Sequence, residues 1–127
     1  MASAIARLKT RADFLRVAAT RRSAARPGLV LQAAPAPSGK LATAAVRVGF
    51  TASRRVGNAA ARNRAKRRLR AAAAEVLGRA GLPGTDYVLI ARGTTGARPY
   101  AQLVGDLEAA LRQIARGGRR QEGRDDA

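Results

Sequence analysis

The chain has 127 residues, with 25 Lys or Arg against 8 Asp or Glu, a formal charge of +17, and neither cysteine nor histidine. The length suits one ordinary domain. The missing Cys and His exclude disulfides, thiolate or imidazole metal sites, Cys nucleophiles and His general bases, while so large a positive charge favours polyanionic partners.

The charge is unevenly spread. Between Asp13 and Glu75 there is no acid over 61 residues that carry 14 Lys or Arg. Of the 25 cations, 22 are Arg, whose planar fork donates two hydrogen bonds to one phosphate. A GC-rich coding bias would enrich Ala, Gly and Arg together, but it would not remove the acids. No apolar run is long enough to span a bilayer, and MASAIARLKT lacks the apolar stretch of a secretory signal. A cytoplasmic location is expected.

In chain order, TRADFLRVAAT at 10–20 predicts a short helix, with Thr10 as cap and Asp13 in capping-box spacing. Phe14, Val17 and Ala18 share its face. Pro27 and Gly28 break the chain, and GLVLQAA at 28–34 predicts a strand. PAPSGKLATA at 35–44 is expected to be a mobile loop. VRVGFTAS at 46–53 alternates: Val46, Val48, Phe50 and Ala52 point one way, Arg47, Gly49, Thr51 and Ser53 the other. That is a half-buried strand. Asn58 starts a helix that runs to about Leu77. DYVLIAR at 86–92 is a continuous apolar strand, central in a sheet, ending at Arg92. Pro99 fits a helix start, and Leu103, Leu107, Leu111 and Ile114 form that helix's stripe.

The segment ARNRAKRRLR, 61–70, holds six cations and no acid. On a helix, Ala61, Ala65, Leu69, Ala72 and Val76 line one face, and Asn63, Lys66, Arg67 and Arg70 the opposite one, flanked by Arg62, Arg64 and Arg68. Like charges at i,i+3 and i,i+4 weaken such a helix by a few tenths of a kcal/mol per pair, so this face points to an external anion. A merely solvated charged face would interleave acids. A membrane-surface helix needs bulkier apolar residues than Ala. Nucleic acid is the favoured partner. Enzyme chemistry is thin: Asp106 and Glu108 diverge, Glu108 is expected to pair with Arg112, and no acid–base pair or metal cluster emerges. No catalytic or metal-binding residue is assigned.

The segment RVGFTASRRVGNAAARNRAKRRLRAAAAEVL, 47–77, closely resembles the signature of the bacterial ribonuclease P protein subunit. The motif here is Ser53, Arg54 and Arg55; Gly57 and Asn58; then Arg62, Asn63 and Arg64, followed by Lys66, Arg67, Arg68 and Arg70. LKTRADF at 8–14 is similar to the family's first helix and DYVLIAR to its fourth strand. The resemblance implies an α+β fold, a small two-layer α-β sandwich ordered helix, three strands, helix, strand, helix. It implies a first strand around 22–26 and a left-handed crossover through the basic helix, against the usual hand. One RNA-binding domain over 7–116 is expected, with flexible tails at 1–6 and 117–127.

The resemblance also implies the function: the protein binds a catalytic RNA, and the complex, an endonuclease, removes the 5′ leader of precursor tRNA. Magnesium is held mainly by RNA, and no obligate protein partner is implied. A ribosome-associated or other structured-RNA-binding protein is the alternative. RNA binding falls to Arg54, Arg55, Asn58, Arg62, Asn63, Arg64, Lys66, Arg67, Arg68 and Arg70. Candidates for the leader cleft are Phe14, Arg47, Thr51, Ser53 and Arg92, with plain core packing equally open to Phe14. Two aromatics usual in the family are replaced here, at Ala18 and at about Gln32, which removes two stacking platforms.

Overall fold

The computed structural model describes residues 5–37 and 46–117. Nine elements follow in order: β1 (Ile5–Arg7), α1 (Arg11–Ala19), β2 (Ser23–Arg26), β3 (Leu29–Pro35), β4 (Val46–Thr51), a 3₁₀ turn (Arg54–Val56), α2 (Ala59–Ala80), β5 (Thr85–Ala91) and α3 (Tyr100–Gly117). The expected α+β order is present, with one strand added in front of it. Residues 5 and 6, expected in a tail, belong to β1, which pairs in parallel with β4 through Ile5–Val46 and Arg7–Val48. A three-residue strand has no periodicity of its own; the partner's ladder makes it. Most of the loop expected to be mobile, 38–44, and the tail from 118 lie outside the described residues.

The sheet runs β1-β4-β5-β3-β2. β1, β4 and β5 are parallel, while β3 is antiparallel to both β5 and β2. β5 is the central strand. Asp86, Tyr87, Val88 and Leu89 are all buried, which accounts for the unbroken apolar run. α2 connects two parallel neighbours, β4 and β5.

The main core lies between one sheet face and α2 with α3. Leu29, Leu31, Val46, Val48 and Leu89 of the sheet meet Leu69, Val76 and Leu77 of α2 and Leu103 and Leu107 of α3. Ala65, Ala72 and Ala73 are fully buried on α2, and their small methyls let the helix lie close to the strands. α1 adds partial cover on the other face. There Val17 packs with Leu8, Ala34 and Val88, against half-buried Phe14 and Ile90. The Thr10 hydroxyl accepts from the Asp13 N–H at 3.1 Å and donates to the Asp13 carboxylate at 3.0 Å, closing the predicted cap.

α1 is also held by charge. Asp86 is wholly buried. Its carboxylate accepts from Arg47 Nε at 2.8 Å and Nη2 at 2.7 Å, and from Arg16 Nη2 of α1. Arg16 also donates to Asp13 at 3.1 Å. Glu108 pairs with Arg79 of α2 at 2.5 Å. The expected partner, Arg112, is displaced because α2 lies alongside α3.

The Arg16 hydrogen bond holds the Asp13 carboxyl below its usual range, against the opposing effect of burial. A depressed folded value contributes stability above the unfolded-chain value of about 3.9, lost as pH falls through the lower folded value. Unfolding free energy from denaturant titration should therefore hold from pH 7 to about 5 and fall below about 4, and Asp13→Asn should reduce that fall. Asp86→Ala should cost about 3–5 kcal/mol at neutral pH, because it strands two guanidinium groups against the sheet.

Candidate nucleic-acid interface

The basic helix is launched by its own side chains. Ser53 Oγ accepts from the Arg55 N–H at 3.3 Å. Gly57 sits at φ 141°, a conformation that a side chain disfavours. Asn58 Oδ1 then caps α2 by accepting from the Ala61 N–H at 2.9 Å. Arg54 and Arg55 stand exposed on the preceding turn, close in sequence to a helix N-terminus that already favours anions.

Along α2 the predicted rotation holds except at Lys66, expected on the outermost face, and Ala61, expected in the core stripe, which are both half-buried, while Arg64, expected as a flank, is exposed. Ala65, Leu69, Ala72 and Val76 face the core, and Asn63, Arg64, Arg67 and Arg70 are exposed. The cations fall into two groups. Among the described residues, none accepts a hydrogen bond from the side chains of Arg54, Arg55, Asn63, Lys66 or Arg67. Arg62, Arg64 and Arg68 are partly engaged within the fold. Arg62 donates to the Gly57 carbonyl at 2.8 Å and Arg64 to the Gly96 carbonyl at 3.0 Å. Arg68 donates to the Thr95 carbonyl at 3.1 Å and to that of Arg98.

Those last carbonyls belong to the turn after β5. Thr95 is buried there, its hydroxyl donating to Gly28 O and accepting from Arg92 N, both at 2.7 Å. Thr94 Oγ donates to Pro27 O at 2.6 Å. Arg68 and Arg64 thus clamp this turn to α2. Sequence reasoning missed Thr95, since nothing local marks a threonine whose hydroxyl donates to a carbonyl 67 positions away.

The cleft candidates sit on the sheet face toward α1. The Phe14 ring lies on Gly49, so close that a Cβ built at Gly49 would meet ring carbons at 2.5 and 2.7 Å. Gly49 is there to admit the ring. Beyond α1 the same face opens: Val30, Ile90 and Thr51 are paired across three strands and half-buried. By strand alternation Arg92 continues the Ile90 face. It is exposed, and its guanidinium donates to Arg26 O at 2.8 Å. Phe14, Thr51 and Arg92 are therefore arranged along one face.

Two candidates need correction. Arg47, expected to reach into the cleft, is held back at its floor: the Nε–Nη2 edge of its guanidinium is taken by the buried Asp86, and its side chain is only 13% exposed. Ser53 lies past the end of β4, where its hydroxyl caps the 3₁₀ turn. Gln32 is half-buried on the cleft face and Ala18 is exposed on α1.

Every described carboxylate is engaged: Asp13 and Asp86 as above, Asp106 with Arg98 at 2.5 Å, Glu108 with Arg79, and Glu75 with the Tyr100 hydroxyl at 3.1 Å. Among the described residues no group of three metal-ligating side chains occurs.

A family model described as Ribonuclease P matches residues 3–115. The chain is 55% identical to the ribonuclease P protein component of Paramagnetospirillum magneticum, over 90% of this chain and 86% of that one. It is 50% identical to that of Ruegeria pomeroyi, over 88% of each. The solved structure of the Staphylococcus aureus RNase P protein superposes with a TM-score of 0.68 at 26% identity, covering 85% of this chain and 94% of that one.

The two groups of cations should separate by mutation. Arg67→Ala should leave the unfolding midpoint unchanged and weaken RNA binding. Arg68→Ala should lower stability by about 1–3 kcal/mol, because it leaves the Thr95 and Arg98 carbonyls without a charged donor. Denaturant unfolding and RNA affinity, measured on both variants, check the assignment.

Proposed function

Since this chain belongs to the ribonuclease P family, we propose that it is the RNA-binding protein subunit of ribonuclease P, the endoribonuclease that matures the 5′ end of tRNA. The RNA subunit performs the cleavage, and the protein holds RNA. The observation that carries this reading is the outward face of α2, where Asn63, Arg64, Arg67 and Arg70 are exposed with no acid between Asp13 and Glu75. Phosphates are the anions such a face suits, and each contact releases counterions.

Arg54, Arg55 and Arg67 have the freest side chains and carry most of the phosphate contact, helped by the half-buried Lys66, while Asn58 acts mainly through the cap that starts α2. Arg62, Arg64 and Arg68 keep N–H groups to spare and contribute after anchoring the fold. The face with Phe14, Thr51 and Arg92 takes the single-stranded leader of precursor tRNA. Phe14 meets Gly49 with its Cζ–Cε2 edge, and the half-exposed remainder of the ring is what it can offer to a base. With Ala18 and Gln32 in place of aromatics, grip there depends mainly on charge.

The donor set does not fit a protein-held magnesium ion. Each described carboxylate is already bonded to an Arg or Tyr partner, so we assign magnesium to the RNA. No helix among the described residues is long and apolar enough to cross a membrane, and we place the complex in the cytoplasm.

RNase-treated protein alone should leave labelled precursor tRNA intact in magnesium, while protein with the RNA subunit should cut it at the mature 5′ end. Site-specific cleavage without RNA would overturn this assignment. The complex should also bind precursor more tightly than mature tRNA. Gly49→Ala, which drives the Phe14 ring off the sheet, should shrink that preference; equal dissociation constants for the two tRNAs in wild type would remove the leader from this face.

A further inference from the structure

A groove of about 200 Å³ lies between β1 and α2, lined by Ile5, Arg7, Val48, Phe50, Arg70 and Ala73. It is on the far side of the sheet from Phe14. Ile5 pairs with Val46 and Arg7 with Val48; paired residues of neighbouring strands face the same way, so both side chains point toward α2. Phe50 has the same parity and is half-buried against the main core. The Arg70 guanidinium lies over the Phe50 ring, 5.6 Å from its centroid. Ile5 is 37% exposed, an apolar side chain facing water beside two arginines.

We propose that this groove binds one unpaired base of the RNA subunit. This rests on the function proposed above and adds a contact that phosphate binding does not supply. Three features point to a base. The floor is apolar, made by Ile5, Val48 and the small Ala73. The Arg70 guanidinium is held over the Phe50 ring, and among the described residues no acceptor takes its N–H groups, which leaves them for a second planar partner; bases stack on guanidinium planes and aromatic rings alike. Arg7 and Arg70 stand on the rim with no carboxylate in the lining, as the phosphates flanking a bound base require. The larger cavity between α2 and α3, about 320 Å³, contrasts with this one: Glu108 lines it between Arg79 and Arg112, an arrangement that suits a polyanion poorly. The groove is also continuous with the RNA-facing side of α2, since Arg67 and Arg70 are one turn apart.

The test uses the full chain and the complete RNA subunit. Ile5→Ser removes the apolar wall at an exposed strand edge, and Phe50→Leu removes the ring with little loss of volume. Each should weaken RNA binding about tenfold, the scale of one lost stacking contact. The slope of log affinity against log salt should not change, because no phosphate contact is lost. Arg67→Ala should instead flatten that slope by about one. Base-specific chemical probing of the RNA should show one unpaired base protected in the wild-type complex and reactive again with Ile5→Ser. Unchanged affinity and an unchanged probing pattern with Ile5→Ser would overturn the groove and leave the function standing. Failure of the wild-type protein to bind the RNA subunit would overturn both. If Phe50→Leu unfolds, Ile5→Ser decides alone.

Discussion

A chain with 25 cationic and 8 anionic side chains has to fold against its own field. The described carboxylates are placed where neutralisation matters most for the fold. Asp86 is the extreme case: fully buried, it draws Arg47 of β4 and Arg16 of α1 onto one point of the central strand. Asp106 does the same for Arg98 beside α3, and Glu108 ties α3 to Arg79 of α2. Few acids are left to oppose an external anion. The long surplus of Arg on α2 is then available to RNA, with self-repulsion relieved on binding rather than by folding.

β4 turns this economy of charge into two separate surfaces. Its alternation sends Val48 and Phe50 toward α2 and Gly49 and Thr51 toward α1. On one side the Phe14 ring needs the bare Cα of Gly49. On the other, the Phe50 ring carries Arg70. The strand then runs through Ser53, the Gly57 turn and the Asn58 cap into α2, so the geometry of the basic helix is set by the end of the strand that divides the two surfaces. The turn after β5 braces the same helix through Arg64 and Arg68. An arginine-rich segment thus contains two kinds of arginine, those that hold the helix in place and those that face outward.

The sequence by itself determined the elements with strong periodicity and local chemistry. The Thr10 and Asn58 caps, the alternating β4, the central β5 and the rotation of α2 all depend on residues within one or two turns of each other, and all are present as expected. The ordered motif from Ser53 to Arg70 was enough to suggest the family. Tertiary structure alone decided what rests on contacts distant in the chain. β1 exists because β4 offers it a ladder. Glu108 meets Arg79 because two helices lie side by side, a proximity no i,i+4 rule contains. Arg47 and Asp86, 39 positions apart, read as a cleft cation and the first residue of a separate strand until parallel pairing of β4 and β5 sets them face to face. Which arginines are occupied and which stay open to RNA follows from the same cause: a local pattern specifies a side chain's direction, whereas its partner is chosen by the packing of the whole sheet.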